Sequence, residues 1–453
     1  MTNSAQFPSR RDLFRLSAGS AAAAAIHRLG VTSAFAQSVP DYKALVCVFL
    51  AGGHDGHNMI VPQSQVSYDA YMKIRKGLVL PDGNTKLHQI TTKGGTPYAF
   101  NDGLAALGPL WLQDKLAVVA NVGMLVQPTT RAQYLAKSVP LPTNLFSHAD
   151  QVIQMQAGDP NGSGGTGWAG RAADALQAMN AAATFPAAFS MNGAALFCTG
   201  KVIQSASLYP GFDLSLNGMS GWPASAAAAK AQALQDIIKL DSGVSVIQAA
   251  NKVRQDALAL NQMLRNAGKT ASLVTKFPGT NLGQQLQQAA QIISLRASTG
   301  ISRQIFFCSL GGFDTHSNQS WTYWDLLKQV SEAMFAFYSA TAEMGVADKV
   351  TTFTESDFGR SLEPSGTGSD HGWGNHHLVM GGAVKGGDLY GTFPFPALGG
   401  PDDSGNRGVL IPTTAIDQYG ATLAKWFGVD AASMSSVFPR IGNFTTADMG
   451  FMG

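Results

Sequence analysis

Seven of the nine histidines in this 453-residue chain fall in four short segments rich in glycine or carboxylate. His54 and His57 lie in Ala51-Gly52-Gly53-His54-Asp55-Gly56-His57-Asn58. His148 lies in Leu145-Phe146-Ser147-His148-Ala149-Asp150-Gln151. His316 lies in Leu310-Gly311-Gly312-Phe313-Asp314-Thr315-His316. His371, His376 and His377 share Ser369-Asp370-His371-Gly372-Trp373-Gly374-Asn375-His376-His377. Imidazole beside carboxylate supplies the donors of a metal site and the proton carriers of acid–base chemistry. Three of the four segments follow an apolar run that reads as a buried strand. The pattern points to a hydrolytic enzyme, or a descendant of one, rather than a plain binding module.

Each segment offers candidates. In the first, a strand runs into paired glycines, which permit a tight backbone and present Asp55 as a metal ligand. The same residues also fit an Asp-Gly turn. In the second, Ser147 with Asp150 three residues on has the form of a capping box. A hydroxyl there meets the positive end of a helix, which favours an alkoxide and a bound anion. Ser147 is therefore a candidate nucleophile beside a metal, and His148 a candidate proton shuttle. In the third, Asp314 and His316 are two residues apart and converge if the loop curls. In the fourth, Phe353 to Arg360 ends a strand in Glu355, Asp357 and Arg360. Arg360 can clamp an oxyanion bidentately or pair with Glu355 or Asp357. A loop from Glu363 to Gly368 then leads to Asp370 and His371, a candidate pair of metal ligands. His376 and His377 face opposite ways if they begin a strand, so at most one reaches a common site.

These segments need a scaffold. The runs Ala44–Ala51, Leu116–Val122, Gln304–Leu310, Val350–Thr354 and Leu378–Met380 are continuously apolar or β-branched, as strands buried on both faces are. Helical stripes lie between them. Ala250, Val253, Ala257, Leu260 and Leu264 form one, Leu282, Leu286, Ala289 and Ile293 a second, and Leu327, Val330, Met334 and Phe337 a third. Alternating strands and helices predict an α/β fold with a mostly parallel central sheet covered by helices on both faces. Ligands in such folds bind beyond the carboxyl ends of the strands, where the histidine segments fall. Residues 159–223 are rich in Gly, Ala, Ser and Asn and weakly periodic, and read as an insertion or cap, extended by helix to about residue 280.

The N-terminus reads as an address. Ser9-Arg10-Arg11-Asp12-Leu13-Phe14 is a twin-arginine pattern, an Ala-rich stretch follows, and Ala34-Phe35-Ala36 is a cleavage signal. A signal peptide over 1–36, followed by one domain over 37–453, predicts a partner in the twin-arginine translocase and a periplasmic or secreted destination. Removing it takes away four arginines and one aspartate, so the formal charge falls from +2 to −1. No basic patch suggests nucleic acid, and no second apolar stretch suggests a stable membrane span. Cys47, Cys198 and Cys308 are an odd set, with Cys47 and Cys308 inside expected core strands, which argues against a disulfide framework.

The leader, Gly52-Gly53-His54-Asp55-Gly56-His57-Asn58, Gly311-Gly312-Phe313-Asp314-Thr315-His316, Ser356-Asp357-Phe358-Gly359-Arg360 and Ser369-Asp370-His371-Gly372 occur in one order. That series, ending in Gly381-Gly382 and Lys385-Gly386-Gly387, resembles the secreted domain-of-unknown-function family numbered 1501 across nearly the whole mature chain. That family is similar to the alkaline phosphatase and sulfatase superfamily, so the resemblance implies an alkaline-phosphatase-like fold with two metals at the ends of parallel strands. It implies Asp55 as the first-strand ligand, Ser147 in the place of the nucleophile, and Asp314 with His316 in one metal site. The second site has two alignments, with either Asp370-His371 or Asp357 and His371 as ligands. The spacing of two between Asp314 and His316 departs from the superfamily's usual four. No histidine follows Asp357, and no Cys/Ser-x-Pro-x-Arg motif exists, which argues against a formylglycine sulfatase.

The expectation is a metal-dependent hydrolase of phosphate or sulfate esters, using Ser147 or a metal-activated water, with one or two divalent metals, zinc or manganese before calcium. Its partner would be a small anionic ester or an anionic polysaccharide. The other class is a non-catalytic periplasmic binding or assembly protein on the same fold. An oxidoreductase is disfavoured, because no Gly-x-Gly-x-x-Gly turn follows a strand and no cysteine set suits a cluster.

Overall fold

The computed structural model describes residues 41–80, 87–183, 185–210, 222–240, 243–270 and 273–453. The leader expected over residues 1–36 lies outside the described residues. In chain order the strands are β1 (Lys43–Leu50), β2 (Ile60–Pro62), β3 (Leu87–Thr91), β4 (Pro97–Asn101), β5 (Leu116–Gly123), β6 (Ala188–Ser190) and β7 (Ala206–Ser207). They continue with β8 (Arg303–Leu310), β9 (Val350–Ser356), β10 (Arg360–Ser365), β11 (Gly368–His371), β12 (Asn375–Gly381), β13 (Asp388–Tyr390) and β14 (Thr414–Ala415). The longer helices are α1 (Gln65–Arg75), α2 (His148–Ala157), α3 (Trp168–Ala175), α4 (Ala224–Lys239), α5 (Ser245–Thr270), α6 (Asn281–Ser294), α7 (Gln319–Glu343) and α8 (Ile416–Phe427).

The main sheet runs β13-β5-β12-β9-β1-β8-β6-β7, with β14 also on β5. β1 pairs in parallel with β8 and with β9 at its centre, and β6 pairs in parallel with β8 and β7. The mostly parallel α/β architecture is thus the one the apolar runs predict. β12 is the exception, antiparallel to both β5 and β9. A parallel return would need a crossover, usually a helix, that carries the chain back to the opposite end of the sheet. Here only the β10–β11 hairpin separates β9 from β12, so the chain comes back from the end it left.

Side chains alternate across β1 and sort the two cores. Ala44, Val46, Val48 and Leu50 face a layer containing Leu282, Leu286, Ala289 and Ile293 of α6 and Leu327, Val330, Met334 and Phe337 of α7. Leu45, Cys47 and Phe49 face Trp168, Ala169 and Ala172 of α3 and Ile416, Tyr419 and Leu423 of α8. Each fully buried Leu, Ile or Phe in these layers contributes about 1.5–3 kcal/mol. The α6 and α7 stripes are buried as their spacing predicts; of the α5 stripe, Leu264 is buried and Leu260 half-buried, but Ala250 and Ala257 are exposed.

The segment read as an insertion divides. Trp168 is fully buried against Phe353 and Phe197, and β6 and β7 extend the main sheet. That part belongs to the sheet and its covering layer, not to a cap over the strand ends. Its weak periodicity reflects strands of two or three residues, too short to show one. All three cysteines are free and buried. No helix among the described residues is long and apolar enough to cross a membrane.

Candidate metal centre

β1, β8 and β9 are adjacent and parallel, so the segments that follow them leave the sheet at one edge. The glycines decide how closely those segments pack. A Cβ on Gly52 would stand 2.5 Å from the backbone nitrogen of Asp314, and one on Gly53 would stand 2.4 Å from the ring of Phe358. Both also have positive φ, 116° and 73°, where a side chain is strained. The paired glycines therefore let the β8 and β9 loops close over the β1 loop.

The β8 loop curls as the two-residue spacing requires. Thr315 N–H donates to the Phe313 carbonyl (2.8 Å) and His316 N–H to the Asp314 carbonyl (3.1 Å). That brings His316 Nε2 within 2.9 Å of Asp314 Oδ1. The stretch Glu363 to Gly368, expected as a loop, is instead a tight hairpin. It sets Arg360 of β10 opposite His371 of β11. The first residue of α2 supplies His148.

Four donor groups meet beyond the strand ends. His148 Nε2 lies 3.1 Å from His371 Nε2 and 3.5 Å from Asp314 Oδ1. His371 Nε2 lies 3.3 Å from Asp314 Oδ1 and 3.1 Å from His316 Nε2. The other ring nitrogens settle the tautomers. His148 Nδ1–H donates to Asp357 Oδ2 at 2.7 Å, and His371 Nδ1–H donates to the Phe146 carbonyl at 2.8 Å. Phe146 has φ 72°, an uncommon conformation for a side-chain-bearing residue, and it aims that carbonyl at the imidazole. In a neutral imidazole the Nε2 atom then carries the lone pair. Two lone pairs and a carboxylate oxygen thus face one another, an arrangement that a proton or a cation must relieve.

A metal fits this donor set. Ligand atoms bonded to a tetrahedral zinc at about 2.0–2.1 Å stand about 3.3–3.4 Å apart. The His148, Asp314 and His371 atoms stand 3.1, 3.3 and 3.5 Å apart, and these three residues could hold an ion together. The imidazole–carboxylate bond from His148 to Asp357 is the usual support behind a metal-bound histidine. Asp357 is only 2 % exposed and also accepts from Gly52 N–H (3.0 Å), so both its oxygens serve the scaffold. Phe358 packs against both rings, 4.7 Å from His148 and 4.9 Å from His371.

Electrostatics follow from these contacts. The hydrogen bond that His148 donates to Asp357 holds His148 above the ordinary histidine value, against the opposing effect of burial. Burial pushes the Asp314 carboxyl up, but the hydrogen bond and charge of Arg360 and the neighbouring imidazoles bring it below the usual aspartate value.

Other candidates lie elsewhere, for identifiable reasons. Asp55 is fully buried and binds the Arg75 guanidinium and the Gln319 amide rather than the histidine cluster. Asp370 turns outward to Arg407 (2.9 Å), because alternate β11 residues face opposite ways. Arg360 is no exposed oxyanion clamp. Its side chain is fully buried, and it donates to Asp314 (2.7 Å), to the Gly52 carbonyl (3.3 Å) and to Ser369. Ser147 Oγ donates to Asp150 Oδ2 (2.5 Å) and makes no side-chain cap bond, so the capping box does not form. His376 and His377 are both buried in β12. Arg75 and Gln319 escaped the sequence reading, since an arginine ending one helix and a glutamine opening another carry no local sign of a shared partner.

Three crystal structures are similar in outline. The lipoteichoic acid synthase LtaP from Listeria monocytogenes is 7 % identical, with 90 % of this chain and 78 % of that chain covered and a TM-score of 0.36. Ps i-CgsB in complex with k-i-k-neocarrahexaose is 9 % identical, with 89 % and 77 % covered and a TM-score of 0.33. The PsFucS1 sulfatase from Pseudoalteromonas sp. is 9 % identical, with 93 % and 72 % covered and a TM-score of 0.35. No curated protein matches the chain. Residues 42–403 match the family described as Protein of unknown function (DUF1501), and the chain belongs to that family.

Proposed function

We propose that this protein is an exported, metal-dependent hydrolase of phosphate or sulfate esters, and that His148, Asp314 and His371 hold the metal with His316 beside them. One observation carries the reading: the lone pairs of two imidazoles, each fixed through its Nδ1–H, converge with the Asp314 carboxylate at 3.1–3.5 Å. An imidazole-rich set suits zinc better than manganese or calcium, which prefer oxygen donors. When bound, such a metal supplies a Lewis acid for an anionic ester and lowers the pKa of water.

The chain's own residues do the rest. Asp357 and the Phe146 carbonyl hold the two imidazoles in orientation and tautomer. Arg360 holds Asp314 and partly neutralises it. His316 is 48 % exposed and stands where it can pass a proton between ester and solvent. Ser147 precedes His148 at the start of α2; to act as nucleophile its hydroxyl must leave Asp150, and otherwise water attacks. The twin-arginine motif supports export to the periplasm or beyond.

A second reading, a binding or assembly protein without turnover, is favoured by one feature. The Ser147 hydroxyl is spent on Asp150 and the Arg360 guanidinium is buried, so neither faces an incoming ester. Elemental mass spectrometry of the natively exported protein, with turnover of aryl phosphate and aryl sulfate esters, separates the two. Tightly held metal with turnover supports the hydrolase, metal without turnover supports the binding protein, and absence of metal overturns the metal-dependent reading.

A further inference from the structure

A file of buried polar groups runs beneath the histidine cluster and joins four separate segments. It starts at Arg75, at the end of α1, whose guanidinium binds Asp55 Oδ2. The same Asp55 oxygen accepts from the Gln319 amide at the start of α7. Gln319 Oε1 accepts from the Ser369 hydroxyl of β11 at 2.6 Å. Ser369 in turn offers both of its oxygens to Arg360: the hydroxyl to Nε at 3.3 Å and the carbonyl to Nη2. Arg360 Nη1 ends the file on Asp314 Oδ1 at 2.7 Å. Gln319 and Ser369 are fully buried, as are Arg75 and Asp55.

The direction of every bond in this file is fixed. An ionised Asp55 can only accept, so the Gln319 amide must present its NH2 to Asp55 and its oxygen to Ser369. The Ser369 proton is therefore committed to Gln319, which leaves its lone pairs for Arg360. A guanidinium held by both oxygens of one serine has a defined plane. Its remaining donors then meet Asp314 at one place. Turning over the amide would set oxygen against carboxylate at one end and leave two donors facing at the other.

We infer that Gln319 and Ser369 are positioning residues of the metal centre: they set the plane of Arg360 and, through it, the direction of Asp314 Oδ1. Neither touches the cluster itself. The inference rests on the metal reading of that cluster, and the test separates the two.

The test titrates the metal-free mature protein with cobalt(II) and follows its visible absorption, which reports ligand geometry. Ser369→Ala and Gln319→Met each break the file at a different point. Both should weaken cobalt binding by about tenfold or more, as loss of supporting hydrogen bonds behind metal ligands does, and both should shift the absorption bands. Tyr323→Phe is the control. It removes a buried hydroxyl that donates to the Asp55 carbonyl at 2.7 Å but lies off the file, so it should lower the melting temperature and leave the cobalt spectrum unchanged. Wild-type affinity and bands in both folded variants would overturn the positioning role alone, as would an equal shift in Tyr323→Phe. If the wild type binds no cobalt, the metal reading falls and takes this inference with it.

Discussion

At the scale of single residues, carboxylates that looked alike in sequence acquire different tasks from their surroundings. Asp314 is 43 % exposed and sits among imidazoles, Asp357 is buried behind His148, Asp55 neutralises Arg75, and Asp370 meets Arg407. Asp314→Asn and His371→Ala should therefore abolish tight metal retention, whereas Asp370→Asn should retain it, as read by metal content after desalting. Asp357→Asn can no longer offer one accepting oxygen to His148 and another to Gly52. It should weaken metal binding about 10- to 100-fold and bring the His148 pKa down toward the ordinary value, a shift that imidazole proton resonances followed against pH would show. Loss of metal from Asp370→Asn together with retention in Asp314→Asn would reverse the ligand assignment.

At the scale of elements, the glycine pairs act through packing more than through presentation of a ligand. A methyl at Gly53 meets the Phe358 ring at 2.4 Å and a φ of 73°, whereas a methyl at Gly311 meets nothing within 4 Å. Gly53→Ala should cost roughly 2–4 kcal/mol from left-handed strain and overpacking, and, because Phe358 backs the His148 and His371 imidazoles, should also disturb the cluster. Gly311→Ala should change stability by less than about 0.5 kcal/mol. Denaturant melts of the two variants check this pair. The proposed leader makes its own prediction: Arg10→Lys with Arg11→Lys should leave the precursor uncleaved inside the cell, which fractionation and blotting would reveal.

At the scale of the molecule, buried titratable groups set a stability optimum. Burial depresses His54 to about 4 and His57 to about 3, and drives His376 and His377 well below the ordinary value. Their folded values lie below the unfolded 6.5, so each stays neutral in the fold while the unfolded chain takes up a proton. Each therefore removes about 1.4 kcal/mol of stability per pH unit as pH falls below 6.5, down to its folded value. Burial raises Glu355 to about 8 and Asp417 to about 7. These two keep a proton that the unfolded chain has lost, so stability falls as pH rises from their unfolded values to those folded ones. His148, raised by Asp357, adds stability that is complete below 6.5 and lost as pH rises through its folded value. Four groups oppose two in acid, so the balance costs stability as pH falls from about 6 toward 4.5. The melting temperature should peak near pH 6–7 and fall on both sides; a melting temperature that rose steadily to pH 9 would contradict this balance.

Much of this was legible in the chain. The five apolar runs became strands within a few residues of their expected ends, and the stripes of α6 and α7 became core faces, because burial on both faces or on one stripe leaves a local periodic record. Asp314, His316 and His371 could be picked out because imidazole and carboxylate follow a strand and a glycine turn or close a hairpin, but the same sign also marked Asp55 and Asp370, which bind Arg75 and Arg407 instead. Partners were not legible. Nothing near Asp55 announces Arg75, 20 residues on, or Gln319, 264 residues on, and nothing near Arg360 announces Asp314. The antiparallel turn of β12 and the recruitment of β6 and β7 into the sheet likewise follow from long-range pairing. Residue type and spacing record what a segment must bury, whereas the partner of a charge is chosen by which loops the folded sheet brings to one edge.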